Sequence, residues 1–438
     1  WQFIENLFVA FGNNAWGYPL LILLIGGGGI LMVYSRFLPF RYFRHSINVL
    51  RGKYDKADEP GDVNHFQALS SALAATVGMG NISGVAIAIA VGGPGVVLWM
   101  WVSAFIGMAT KFFTCTLAVM YRGKDSEGKI QGGPMYVIQE GLGKNWKPLA
   151  VFFSIAGVFG MSPAFQANQL VHVVRDALLV NNGFIGENTF RADLTIGLIL
   201  AVLVSIVIFG GIKRIGAVAE KLVPSMVVLY LFAVGYILIV NYKAIIPCFA
   251  LIFKDAFSAK AVLGGSIGAI IIAGVRRAAF SNEAGIGSAP MAHGAVKTHE
   301  PVREGLVAML GPAIDTLVIC TLTALAILIT GVWQDANYQG VGMTLRAFEV
   351  AMPGIGSYIL LFCVFIFAIT TLFTYSYYGT KCLSYLVGVK WGRLFNYFYV
   401  AFLVFGSVTS IGAIVSLIDG MYAMMAIPTM ISTLLLAP

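Results

Sequence analysis

The sequence predicts an all-α polytopic membrane protein. It has about eleven transmembrane helices: one extra N-terminal helix, then a five-plus-five inverted-repeat core with two broken helices. Three observations predict this. Hydrophobic residues make up 58% of the 438 residues and charged residues 11%, where a soluble domain carries about 25% charged residues. The mean hydropathy is +0.85. At about 20 apolar residues per crossing, the chain holds about eleven crossings and leaves no room for a soluble domain. Lys and Arg collect in alternate loops. Two apolar segments, finally, are interrupted by glycines, Asn and hydroxyl residues that a continuous membrane helix does not need.

Taken in order, the expected crossings are 16–35, 66–91, 95–121, 149–178, 193–211, 217–240, 261–289, 303–331, 355–384, 395–413 and 417–436. They divide into residues 1–65 (N-terminal helix, first crossing and cytoplasmic connection), a first five-helix repeat at 66–240 and a second at 241–438. The 36–66 connection carries Arg36, Arg41, Arg44, Arg51, Lys53 and Lys56, and the 121–148 loop Arg122, Lys124, Lys129, Lys144 and Lys147. Lys213, Arg214, Lys221, Lys297, Arg303, Lys381, Lys390 and Arg393 fall on the same side; Arg191, Lys243, Lys254, Lys260 and Arg346 fall opposite. The positive-inside rule therefore puts the N-terminus outside and the C-terminus in the cytoplasm. The chain opens at Trp1 with neither an initiator Met nor a cleavable leader, and a trimmed start is expected. Five cysteines, an odd number in mostly apolar stretches, argue against a disulfide framework. The net charge of +8 reflects basic loops rather than nucleic acid binding.

The first interruption is Ala75-Thr76-Val77-Gly78-Met79-Gly80-Asn81-Ile82-Ser83-Gly84. A helix broken there would free backbone carbonyls and N–H groups to grip an ion or a zwitterion at the midplane. The second, within 261–289, runs from Gly264-Gly265-Ser266 through Ala273-Gly274 to Ser281-Asn282-Glu283-Ala284-Gly285-Ile286-Gly287-Ser288. With the first crossing set aside, the two are the first and sixth of the remaining ten and run in opposite directions, the pattern of an inverted-repeat transporter. Glycine is also a common packing residue in membrane helices, so each segment alone has a plainer explanation.

These runs, with Gly92-Gly93-Pro94-Gly95, Trp99-Met100-Trp101, Gln131-Gly132-Gly133-Pro134-Met135-Tyr136 and Tyr377-Tyr378-Gly379, resemble the alanine or glycine:cation symporter family over about residues 16–430. The resemblance implies sodium-coupled uptake of small neutral amino acids, Na+ as the coupling ion, and an ion site between the first and eighth core helices. Two positions depart from the family pattern. Tyr375 stands where a Trp is usual, and Thr114 follows Thr110-Lys111 where an acid is frequent. The first bears on the substrate pocket and the second on a buried charge pair.

The midplane lies about ten residues into each crossing. That depth gathers Thr76–Asn81, Gln166, Ile271–Val275 and Thr370–Thr371 at one level. Thr76, Gly78, Gly80 and Asn81 are expected to hold a substrate carboxylate at a half-helix N-terminus. Gln166 offers a donor and acceptors to a zwitterion. Ala273 and Gly274 would supply carbonyls to the ammonium, and Tyr375 would cap the side-chain end with Thr371 one turn away. Plain packing is the other reading of Tyr375. Carbonyls of Ala75 and Gly78 with the hydroxyls of Thr370 and Thr371 would suit sodium, a hard cation. Such hydroxyls also commonly bond back to their own helix.

Intramembrane charges call for partners. Asp315 is expected to pair with Lys111 or to contribute to ion coupling; Glu283 is expected to pair with Arg276 or Arg277 in an inner gate. Asp419 lies at an outer interface and is expected to be solvated. The glycine run Gly78–Gly84 lacks nucleotide-fingerprint spacing and a preceding strand, and the histidines show no metal or catalytic spacing, so an enzyme is not expected. The expected function is a sodium-coupled symporter importing alanine or glycine by alternating access in the bacterial inner membrane, its partners being the amino acid, sodium and the lipid bilayer, with a monomer plausible. The alternatives are a proton-coupled amino acid symporter and a non-transporting receptor or channel.

Overall fold

The computed structural model describes residues 2–55, 59–175, 178–179, 189–257, 266–409 and 412–437. The expected Gly264–Gly265 interruption, Lys56 and Lys260 lie outside the described residues. The chain is built almost wholly from helices: α1 (Gln2–Ala15), α2 (Gly27–Tyr34), α3 (Leu38–Leu50), α4 (His65–Thr76), α5 (Val85–Gly92), α6 (Val96–Met120), α7 (Lys147–Gly160), α8 (Ala164–Arg175), α9 (Phe190–Ile208), α10 (Gly211–Val240), α11 (Tyr242–Ala256), α12 (Ser266–Asn282), α13 (Ala289–His293), α14 (Pro301–Ala308), α15 (Thr321–Thr330), α16 (Val341–Ala351), α17 (Gly356–Val387), α18 (Phe395–Val408) and α19 (Gly412–Leu436). Gly123–Lys124 and Ile130–Gln131 form a short antiparallel pair in a connecting loop.

Among the described residues, eight helical stretches are long and apolar enough to cross a membrane, or nine when the bent pair α4 and Gly80–Gly92 is taken as one span. Helices α12 and α18 stand at two further expected crossings and are shorter, at 17 and 14 residues. Besides α1, the expected N-terminal helix, three of the named helices lie outside every expected crossing. Helix α3 occupies the basic connection, α11 precedes the second broken segment and α16 fills a loop.

The arrangement follows from which faces each helix can bury. Helix α17, 32 residues long, is buried along much of its length and packs against α4, α7, α8 and α10. Helix α6 packs against α12 and α14, and α19 against α1 and α7. Outward faces carry large apolar residues such as Phe232, Ile239 and Ile246, at 74%, 75% and 79% exposure. A soluble surface would avoid so continuous an apolar belt, whereas lipid tails cover it at no cost. Charges sit inside instead: Lys111, Glu283, Glu304 and Asp315 are all at or below 1% exposure. All five cysteines are free and buried.

Candidate functional site between the two broken helices

Helix α4 starts with a reciprocal capping box: Gln67 N–H donates to Asn64 Oδ1 and Asn64 N–H to Gln67 Oε1. It ends where Val77 turns extended (φ −77°, ψ 91°), and a π turn begins again at Gly80. The two halves meet at a bend of 51°. Asn81 shapes this break. Its Oδ1 accepts from Gly78 N–H at 2.8 Å, and its Nδ2 donates to Asp315 Oδ1 at 2.6 Å and to the Asp315 carbonyl at 3.3 Å. With both ends of its amide engaged by protein, Asn81 stands behind the break as its brace.

The second break comes later than depth counting places it. Helix α12 runs unbroken through Ala273–Val275 and opens at Glu283, which has φ +56°, followed by Gly285 (φ +84°) and Gly287 (φ +101°). Left-handed conformations are natural for glycine and uncommon for Glu, so Glu283 is held there by its surroundings. Ser288 Oγ donates to its carboxylate, and Tyr375 Oη donates to Glu283 Oε1 at 3.3 Å. Gly274 is a packing position: a Cβ there would lie 2.7 Å from Trp99 Cβ and 2.9 Å from the Val96 carbonyl on α6. Ala273 faces Gly92 at the end of α5. Their carbonyls belong to a continuous helix, which corrects the expectation that these two residues open toward the ammonium.

The breaks touch each other. Gly80 passes Phe280 and Ser281 so closely that a Cβ would sit 3.4 Å from Ser281 Cα. On its other side, a Cβ at Gly78 would lie only 2.5 Å from Thr371 Oγ1 on α17. Gly78→Ala therefore requires Thr371 to shift. We expect it to destabilise the fold by about 1–3 kcal/mol and to cut amino acid uptake at least about tenfold, read by thermal melting and proteoliposome uptake. Thr371 Oγ1 donates to the Phe367 carbonyl at 3.0 Å and keeps its lone pairs toward Gly78. Thr370 points elsewhere: its hydroxyl bonds the Ile366 and Phe367 carbonyls and lies 3.8 Å from Met226 Sδ on α10. The structure thus brings Gly78 and Thr371 together and turns Thr370 away from them. Thr374, one turn on, donates to the Ser71 carbonyl at 3.3 Å and ties α17 to α4 below the break.

Gln166 is 3% exposed on α8, and its Oε1 is buried without a partner. Its neighbour Phe165 meets Phe280, the ring centroids 6.1 Å apart, which brings α8 to the second break. Thr76 is buried and bonds only weakly back to Leu73, at 3.4 Å.

The charge network differs from expectation. Asp315 does not make an ion pair with Lys111. Its carboxylate accepts from Asn81 Nδ2, from Ser281 Oγ at 2.8 Å and from Thr316 Oγ1 at 2.8 Å, so one side chain joins both breaks. Lys111 lies beside Gly311, its Nζ 3.1 Å from where a Cβ would stand. Thr114 caps the Lys111 carbonyl at 3.3 Å. Arg276 does not reach Glu283 either. Its Nη2 meets Asp419 Oδ2 at 2.5 Å and its guanidinium lies 5.7 Å over the Trp16 ring, while Trp16 Nε1 donates to the Asp419 carbonyl. Asp419, expected to be solvated, is 7% exposed and forms the counter-ion of α12. Ser281, Ser288, Thr316 and Thr374 were not singled out from sequence, although Ser281 and Ser288 lay within a quoted motif.

Comparison with known proteins agrees with this architecture. A family model described as the sodium:alanine symporter family matches residues 1–438. The chain is 40% identical over 430 residues to the sodium/alanine symporter AgcS of Methanococcus maripaludis, covering 96% of this chain and 92% of that protein. It is 34% identical over 437 residues to a probable sodium/glutamine symporter, GlnT, of Bacillus subtilis, covering 100% and 89%. Among solved structures, MhsT in complex with L-phenylalanine matches with a TM-score of 0.58 at 14% identity, covering 83% of this chain and 89% of that one. That likeness is one of fold.

Proposed function

Because the chain belongs to the sodium:alanine symporter family, we propose that it imports a small neutral amino acid, alanine or glycine, coupled to inward sodium movement. The observation that carries this reading is the contact of Gly78 in the first break with Thr371 on α17. Carbonyls of Ala75 and Gly78 and the Thr371 hydroxyl are oxygen ligands of the kind a hard cation prefers. Sodium held there would pin the end of α4 to α17 and fix the start of the Gly80–Gly84 turn. The N–H groups at that start would receive the substrate carboxylate, together with Thr76 and Gly80. The unpartnered Gln166 Oε1 is suited to the ammonium. Tyr375, tied to Glu283, closes the side-chain end and favours a small substrate. Sodium and amino acid then bind cooperatively, because each is offered groups that the other orders.

The two five-helix repeats, 66–240 and 241–438, would move against each other around this site, with the N-terminus outside and the C-terminus in the cytoplasm of a bacterial inner membrane. One observation favours proton coupling as a second reading: Asp315 joins both breaks with no cation in salt-bridge contact. Substrate choice is tested by competition. Uptake of labelled alanine under a sodium gradient should be blocked by excess glycine and little affected by glutamine. Blockade chiefly by glutamine would refute the small-substrate assignment.

A further inference from the structure

Two histidines and one glutamate, none of them in the site above, meet where the broken helices end. His65 opens α4, His293 closes α13 and Glu304 lies in the first turn of α14. All three are at or below 1% exposure. His65 Nδ1 bonds one carboxylate oxygen of Glu304 and His293 Nδ1 bonds the other. Both Nε2 atoms are buried without a hydrogen-bond partner. A strap runs beside them: Val63 pairs with Val296, Asp62 N–H donates to the Ala295 carbonyl at 2.8 Å, and Lys297 N–H donates to the Val63 carbonyl at 2.7 Å. Arg122 clamps the same two segments through the carbonyls of Pro60, Gly294, Val296 and Thr298.

We propose that His65, Glu304 and His293 form a proton-binding latch that fastens the inner halves of the two broken helices together, and that its proton occupancy sets how readily α4 can part from α13 and α14. The geometry assigns a proton to each Nδ1, since a carboxylate only accepts. With both rings otherwise neutral, the trio carries one buried negative charge. A proton on either Nε2 adds an ion pair to a hydrogen bond that already ends on a carboxylate, and cancels that charge. Acid therefore tightens the latch and alkali loosens it, in the range where histidine titrates.

Other groups act on the same place. Asp55 lies 3.7 Å from His65 Nε2, and Glu59 adds to its field. Arg303 on α14 engages Glu59 and Glu300. Arg122 and Cys115, from α6 and the loop after it, act on Glu304. Lys381 on α17 donates to the Met291 carbonyl in α13. Arg stays charged and Cys stays neutral between about pH 5.5 and 8. The histidine variants below separate the imidazoles from Asp55, Glu59 and Lys381, which share these surroundings.

The test is a distance measurement on the full chain in lipid nanodiscs, without sodium or amino acid, so its failure is separate from failure of the transport assignment. Spin labels go at F66C, a position 39% exposed on α4, and K147C, exposed at the start of α7. The native cysteines are buried and free. At about pH 5.5 one short distance is expected; at about pH 8 a second, longer population grows in. His65→Gln and His293→Gln, each in the same labelled background, keep a hydrogen bond without the titration and should give one distribution at both pH values. Identical wild-type distributions at the two pH values overturn the latch, whether or not the variants fold. So does a single-histidine variant that retains the wild-type response.

Discussion

Thr371→Val is expected to abolish sodium stimulation of amino acid uptake, while Thr370→Val leaves it nearly unchanged. Successive helical residues point about 100° apart, so only one of two adjacent hydroxyls can face the first break. That one is Thr371, which abuts Gly78; Thr370 faces Met226. The fold should tolerate either change, because the Phe367 carbonyl also accepts the helix's own backbone N–H. The stability cost should stay within about 1 kcal/mol. The loss at position 371 should thus appear as a sodium requirement raised about tenfold or more, equivalent to about 1.4 kcal/mol of cation binding, so that the sodium level that drives wild-type uptake no longer stimulates it. Sodium titration of uptake in both variants checks this. Equal losses in the two would place the cation elsewhere.

Asp315→Ala is expected to have the larger structural effect. Three donors converge on this carboxylate, from Asn81, Ser281 and Thr316, and all four residues are at or below 0% exposure to the nearest per cent. Removing the acceptor strands those donors, and each buried unsatisfied group costs about 1–3 kcal/mol. The melting temperature should fall by several degrees and transport should be lost, because both breaks lose their common tie. Asp315→Asn keeps the volume but turns one acceptor into a donor facing Asn81 or Ser281, so it should fold better than the Ala variant and still transport poorly. An Asn variant that transports normally would reduce Asp315 to a packing residue.

The helical class and the first break were legible because both depend on local properties, apolar length and helix-weakening residues in a row. The second interruption contains the observed opening, but depth counting set the site too early within it, for a physical reason. Depth counting assumes that a helix opens at the midplane, whereas α12 opens where Glu283, Gly285 and Gly287 take positive φ. The Gly285-x-Gly287 spacing was the local signal. Helices α3, α11 and α16 were missed because short helices in loops are marked by amphipathic pattern rather than apolar length. Partners across the fold were beyond sequence: Asn81 and Asp315 are 234 residues apart, and Arg276 and Asp419 are 143 apart. Periodicity reveals neighbours on one helix, and nothing local distinguishes Asp419 from Glu283 as the counter-ion of Arg276. The histidine latch escaped for the same reason, since its members lie in three separate helices.

The most direct test of sodium coupling at Gly78 and Thr371 is accumulation of radiolabelled alanine in proteoliposomes under inward gradients of sodium, potassium or protons in turn. The account predicts accumulation with sodium alone, absent in Thr371→Val. Accumulation driven by protons without sodium, or none under any gradient, would contradict it.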